Sequence, residues 1–179
     1  MPVMDVEGDM TPAEASHRLL YNTVADSDGL VALPIDIKAV AWAIGLHPET
    51  RRLPDGVDGV LVRTGTGEPF RAVTDACLPD NRRRLTLAYE MGRHIHRLRD
   101  MPDEGPLGIV ASVDATGDRW AEDFAATLLM PASIVRVMWA SGMEPRDMAV
   151  RFGVPFHALA ARLGGSGAAV TGVERRNRR

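Results

Sequence analysis

Residues 83–94 read RRLTLAYEMGRH, and the helical period of this stretch decides how the rest of the chain is read. Placed at about 100° per residue, Leu85, Ala88, Met91, Gly92, Ile95 and Leu98 share one face. Thr86, Tyr89, Glu90, Arg93, His96 and Arg97 share the other. Tyr89 and Arg93 stand four apart and project the same way from near the middle of that polar face. Glu90 stands beside them, and His94 sits at the edge between the two faces.

A chain of 179 residues has room for one domain with a sizeable core. Its 45% hydrophobic and 25% charged residues are those of an ordinary globular protein. A net charge of -3 makes no global case for nucleic acid, whose binding draws on a basic surface. The lone Cys77 excludes an intramolecular disulfide, fits a reducing compartment and is read as a small packing residue. The start MPVMDVEGDM lacks the basic and apolar runs of a secretion signal, and no apolar stretch is long enough to span a bilayer. A cytoplasmic protein with no membrane partner is therefore expected. All but one of the 21 basic residues are arginines, Lys38 being the exception. A GC-rich coding sequence accounts for that bias, which carries no functional weight.

Along the chain, Thr11-Pro-Ala-Glu14 combines a hydroxyl cap, a proline at the first helical position and a capping-box glutamate. A helix is expected from there to Ala25, and a second from Pro34–Asp36 to Gly45, with Ile37, Val40, Ala41 and Ile44 at helical spacing. Turn signals at Asp55-Gly56, Asp58-Gly59 and Gly65-Thr-Gly67 bracket Val60-Leu-Val62 and the stretch Phe70 to Val73, read as a short hairpin. The central helix follows from Arg82 to Arg99, then a Pro/Gly-rich loop and an extended Ile109-Val-Ala. Further helices are expected over Ala115–Met130, stopped by Pro131, and over Ser133–Ser141. Residues 145–163 read as a helical hairpin joined at Phe152-Gly-Val154. Residues 1–10 are expected to be flexible, and 164–179, small and polar and finally basic, to form a disordered tail. The domain thus covers 11–163, of class α+β: a mostly helical body with a small sheet on one side of a cleft.

Two motifs add a resemblance. Arg83-Arg84-Leu85-Thr86-Leu87-Ala88 leads into the central helix, and Asp118-Arg-Trp-Ala121 precedes Phe124-Ala-Ala-Thr-Leu-Leu-Met-Pro131. In these motifs, in Leu33-Pro-Ile-Asp36 ahead of them and in Arg151-Phe-Gly-Val154 after them, the chain resembles the ImmA/IrrE family of metallo-endopeptidases over residues 11–163. The resemblance implies a zincin-like domain with its sheet beside the active-site helix. It implies metal-ligand positions at Tyr89, Arg93 and Asp118 and the general base at Glu90. It also implies a cytosolic regulator, often tied to mobile elements or stress responses, that acts on a helix-turn-helix transcriptional repressor.

In the family's HExxH motif two histidines four apart flank the glutamate; here Tyr89 and Arg93 occupy their places. Zinc takes imidazole, carboxylate or thiolate donors, whereas a guanidinium is permanently cationic and offers no acceptor. The expectation is that Arg93 fills the space left by zinc and pairs with Glu90 or Asp118, holding the base in a structural ion pair. No resident cofactor is then expected. Zinc would return only with a rearranged ligand set, drawn from Glu90 and His94, also four apart, with His96, Asp118 and Glu122. The plainer reading of His94 and His96 is as solvent-exposed helix residues.

Among the remaining features, Phe124 to Met130 reads as core packing, and Trp42, Trp120 and Trp139 as core or near-core anchors. The hairpin at 145–163 has the outline of a helix-turn-helix, but His157-Ala-Leu-Ala-Ala is a poor base-reading surface. Three functions stay open. The leading one is a pseudoprotease that binds a repressor through the old substrate cleft. The others are an active metallopeptidase using Glu90 with rearranged ligands, and a DNA-binding protein working through the hairpin.

Overall fold

The computed structural model describes residues 10–65, 67–97, 108–111 and 118–165. Thr11 caps helix α1 (Pro12–Thr23): its hydroxyl accepts from the Glu14 amide, and the Glu14 carboxylate accepts from the Thr11 amide at 2.9 Å. Asp36 caps α2 (Ile37–Ala43) by accepting from the amides of Lys38 and Ala39, and Gly45, at φ +73, takes the chain out. The expected apolar positions Ile37, Val40, Ala41 and Ile44 are all buried. Trp42, a position off that stripe, is not the core anchor expected; it is 54% exposed and lies against the His47 ring at 4.3 Å.

The sheet is larger than the hairpin read from sequence. It has four strands, β1 (His47–Arg51), β2 (Gly59–Arg63), β3 (Arg71–Asp75) and β4 (Gly108–Ala111), in the order β1-β3-β2-β4. The hairpin is there as antiparallel β2 and β3, with Val60 opposite Val73. Strand β4 pairs antiparallel with β2, and β1 runs parallel to β3. The unexpected strand is β1: Pro48 and Glu49 give it no apolar alternation, and its place at the sheet edge suits a proline. Cys77, expected to pack, lies exposed in the turn after β3, because the strand has ended before it.

Helix α3 (Asp80–Arg97) packs against β2 and β3, and α4 (Arg119–Leu129) packs against α3 and α1. Asp118 starts α4 by accepting from the Ala121 amide at 3.1 Å, so the helix begins at Arg119 rather than at the expected Ala115. Ala88, Met91, Phe124, Leu128 and Leu129 are fully buried between α1, α2, α3 and α4. The chain closes with α5 (Ala132–Ala140), α6 (Pro145–Phe152) and α7 (Phe156–Gly165). The α6–α7 turn is held from the side by Arg84 on α3, which donates to the carbonyls of Gly153 (3.2 Å) and Ile35 (2.7 Å). Gly153 adopts the left-handed φ of +65 that closes α6. Of the stretches expected to be flexible, 1–10 and 164–179, Gly164 and Gly165 instead complete α7, while 1–9 and 166–179 lie outside the described residues. No single helix among the described residues is long and apolar enough to cross a membrane.

Candidate functional site

The polar face of α3 is not a solvated face. Thr86, Glu90 and Arg93 are 8%, 0% and 4% exposed. Two glycines explain how neighbouring elements cover them. A Cβ on Gly59 of β2 would come within 2.6 Å of Thr86 Cγ2 and 3.4 Å of Glu90, so only a bare backbone lets the strand lie on this face. On α3 itself, a Cβ on Gly92 would meet Ala121 of α4 at 2.8 Å, and their close approach brings the α4 cap, Asp118, to the site.

Within this covered face, Arg93 Nη1 donates to Glu90 Oε2 at 2.9 Å, both side chains being almost wholly buried. Of the two carboxylates expected for Arg93, Glu90 is the one that takes this hydrogen bond. A buried ion pair contributes little net stability against an apolar substitute, yet removing one partner costs about 3–5 kcal/mol. Burial pushes the Glu90 carboxyl up to about 7, with the Arg93 guanidinium acting against that rise. Glu90 Oε1 is also buried and has no hydrogen-bond partner among the described residues. Tyr89, half-buried, has its hydroxyl raised by burial; Arg93 opposes the rise, and Asp118, Glu90 and Glu122 add to it.

Asp118 is 4% exposed and lies 3.4 Å from His96 Nδ1, while the His96 ring stacks on Trp120 at 4.9 Å. His96 is about half exposed, as its sequence reading had it. His94 is not: it packs edge-on against Phe70 at 5.2 Å, and burial pushes its imidazole down to about 4. Its Nδ1 has no hydrogen-bond partner among the described residues. The reason lies in the hairpin, which brings Phe70 over the edge of α3.

A zinc ion does not fit the donors at the implied ligand positions. Arg93 offers no lone pair, and the Tyr89 phenol is held more firmly protonated than in water. Of the alternative donors His94, His96, Asp118 and Glu122, only His96 and Asp118 are seen to meet. Among the described residues no group of three or more His, Cys, Asp or Glu side chains is arranged to hold a metal ion.

Above this site opens a cleft of about 820 Å³, with Gly59, Tyr89, Glu90, Glu122, Met130 and Ala161 among its walls. Its volume is in the range of ligand-binding clefts. Sequence reading missed one wall. Helix α7 supplies His157, Ala158, Ala161 and Arg162, whose spacing marks one helical stripe, so the hairpin lines the cleft as well as closing the core. Also missed was the Arg82–Asp58 ion pair at 2.6 Å in the lining.

Helix α3 with its buried ion pair, the Asp118-capped α4 and a cleft lined by both make up the candidate site. Residues 72–164 match the family profile of the IrrE N-terminal-like domain, Peptidase M78, and the chain belongs to that family. Among solved structures, the fold is similar to that of a Mycobacterium tuberculosis transcriptional regulator, with 18% sequence identity and a TM-score of 0.51. The likeness covers 86% of this chain and 52% of the regulator, so the chain spans about half that protein's length. No curated protein matches the chain.

Proposed function

We propose that this IrrE-like domain is a cytosolic regulator that binds a helix-turn-helix transcriptional repressor in the cleft above Tyr89 and Glu90, and that it has lost zinc-dependent cleavage. The observation that carries this reading is the buried Arg93–Glu90 pair. A general base must be free to take a proton from the attacking water, and here one carboxylate oxygen is engaged by a fixed cation. The family's hydrolytic centre has become a structural ion pair, while the cleft that would receive the substrate remains open. Release of repressed genes would then come from sequestering the repressor rather than cutting it. The likeness to a transcriptional regulator supports the fold on which this reading stands.

Direct DNA recognition by the hairpin has less support, since His157, Ala158 and Ala161 of α7 face the cleft and make a poor base-reading surface. The deciding experiment pairs elemental analysis of the purified protein with size-exclusion chromatography against repressors encoded beside its gene. A repressor complex that is metal-free and leaves the repressor intact is the expected result. One tightly held zinc per chain, with repressor cleavage abolished by Glu90→Gln, would overturn it.

A further inference from the structure

We propose that the cleft floor beside Tyr89 is a recognition subsite for one arginine side chain of the bound protein segment. The inference rests on the reading of the cleft as a repressor-binding surface and names the chemistry by which it would grip.

Three observations converge on it. Glu90 lines the cleft and is fully buried, with Oε2 engaged by Arg93 and Oε1 lacking a hydrogen-bond partner among the described residues. A buried acceptor left unpaired is costly, so a donor that displaces the groups covering Oε1 gains the hydrogen bond that the free protein forgoes. The second observation is charge. Asp118, Glu90 and Glu122 all act on the Tyr89 hydroxyl as negative neighbours, with Arg93 the one positive neighbour. Elsewhere in the lining, Arg82 pairs with Asp58, and Arg162 feels Asp123. Arg119 stands exposed in the lining on α4. Three acidic side chains thus act on Tyr89 against one guanidinium. The third observation is the phenol ring itself, which gives a planar cation a face to stack on.

Guanidinium suits this combination better than ammonium. Its planar fork can donate to two carboxylates at once while its face lies on an aromatic ring. Leu85, Ala125 and Met130 in the same walls offer apolar contact to the residues flanking such an arginine.

The test uses the full chain and two blocked peptides, Ala-Leu-Arg-Leu-Ala and the same peptide with citrulline for arginine. Citrulline keeps shape and most donors but removes the charge. By isothermal titration, the arginine peptide is expected to bind about tenfold more tightly than the citrulline peptide, the scale of one charge-assisted hydrogen bond. Glu122→Gln, at a side chain exposed in the cleft, should erase most of that preference, and Tyr89→Leu should weaken the arginine peptide selectively. Thermal melts of both variants establish that they fold. Equal affinity for both peptides, no binding of the arginine peptide, or a preference untouched by both substitutions would overturn the proposal. The two readings fail separately. A repressor complex indifferent to Glu122→Gln removes the arginine subsite alone. An arginine-selective cleft that captures no repressor removes the partner alone.

Discussion

Gly92 of α3 faces the backbone of α4 so closely that a Cβ added there would lie 2.8 Å from the Ala121 Cα. Alanine ordinarily stabilises a helix interior by about 1 kcal/mol over glycine. At this position the sign reverses, because the atom met is backbone and cannot swing aside. Gly92→Ala is expected to lower unfolding stability by about 1–3 kcal/mol, the usual range for overpacking. Urea denaturation reads it directly, and a stabilised variant would mean that α3 and α4 do not pack as closely as described.

Removing the cation from the buried pair isolates the charge of Glu90. Arg93→Met should cost about 3–5 kcal/mol, since it strands a buried carboxylate. The double variant Glu90→Leu/Arg93→Met should recover most of that loss, because two apolar side chains need no desolvation. A double variant as unstable as Arg93→Met would show that the pair does more than neutralise itself. The same denaturation experiment distinguishes the outcomes.

Two buried groups set opposing pH dependences. The Glu90 carboxyl is raised from 4.5 to about 7, so its contribution is fully present below 4.5 and is lost as pH rises through 7. The His94 imidazole is lowered from 6.5 to about 4, so its contribution is fully present above 6.5 and is lost as pH falls through 4. Between these limits the two slopes offset, and the parent protein should show a nearly level stability profile. His94→Phe, which keeps a ring against Phe70, should uncover Glu90: stability then falls on the order of 3 kcal/mol from acidic to neutral pH. A rising profile in that variant would contradict the assignment.

Restoring donors at the two altered positions tests whether Arg93 occupies the metal's space. Tyr89→His with Arg93→His places two imidazoles four apart beside Glu90 and across from Asp118. Elemental analysis should find zinc approaching one per chain in the double variant and in neither single variant. A double variant that binds no zinc would contradict the reading that Arg93 stands in the metal's place.

Much of this arrangement was legible because it is local. The period of residues 83–94 gave α3 its two faces, the spacing of Phe124 to Met130 gave α4 its buried stripe, and the Thr11 cap marked α1. The failures were of non-local origin. Strand β1 owes its conformation to parallel pairing with β3, and nothing in His47-Pro-Glu-Thr-Arg51 advertises that partner. Period alone separates the faces of α3 but cannot say which is wet. It took Gly59 and Gly92, each admitting a neighbour's close approach, to bury a face that looks polar. The same holds for His94, whose neighbour Phe70 comes from a distant turn of chain, and for α7, whose place beside the cleft depends on the Arg84 contacts at the hairpin turn.

The positive charge that meets Glu90 is carried on the polypeptide itself. It cannot dissociate, be scavenged by a competing protein or run short when the cell is starved of trace elements. Every newly made copy leaves the ribosome with its counterion already attached, in fixed one-to-one ratio, so the electrostatic state of this centre is inherited through the gene rather than drawn from the surroundings.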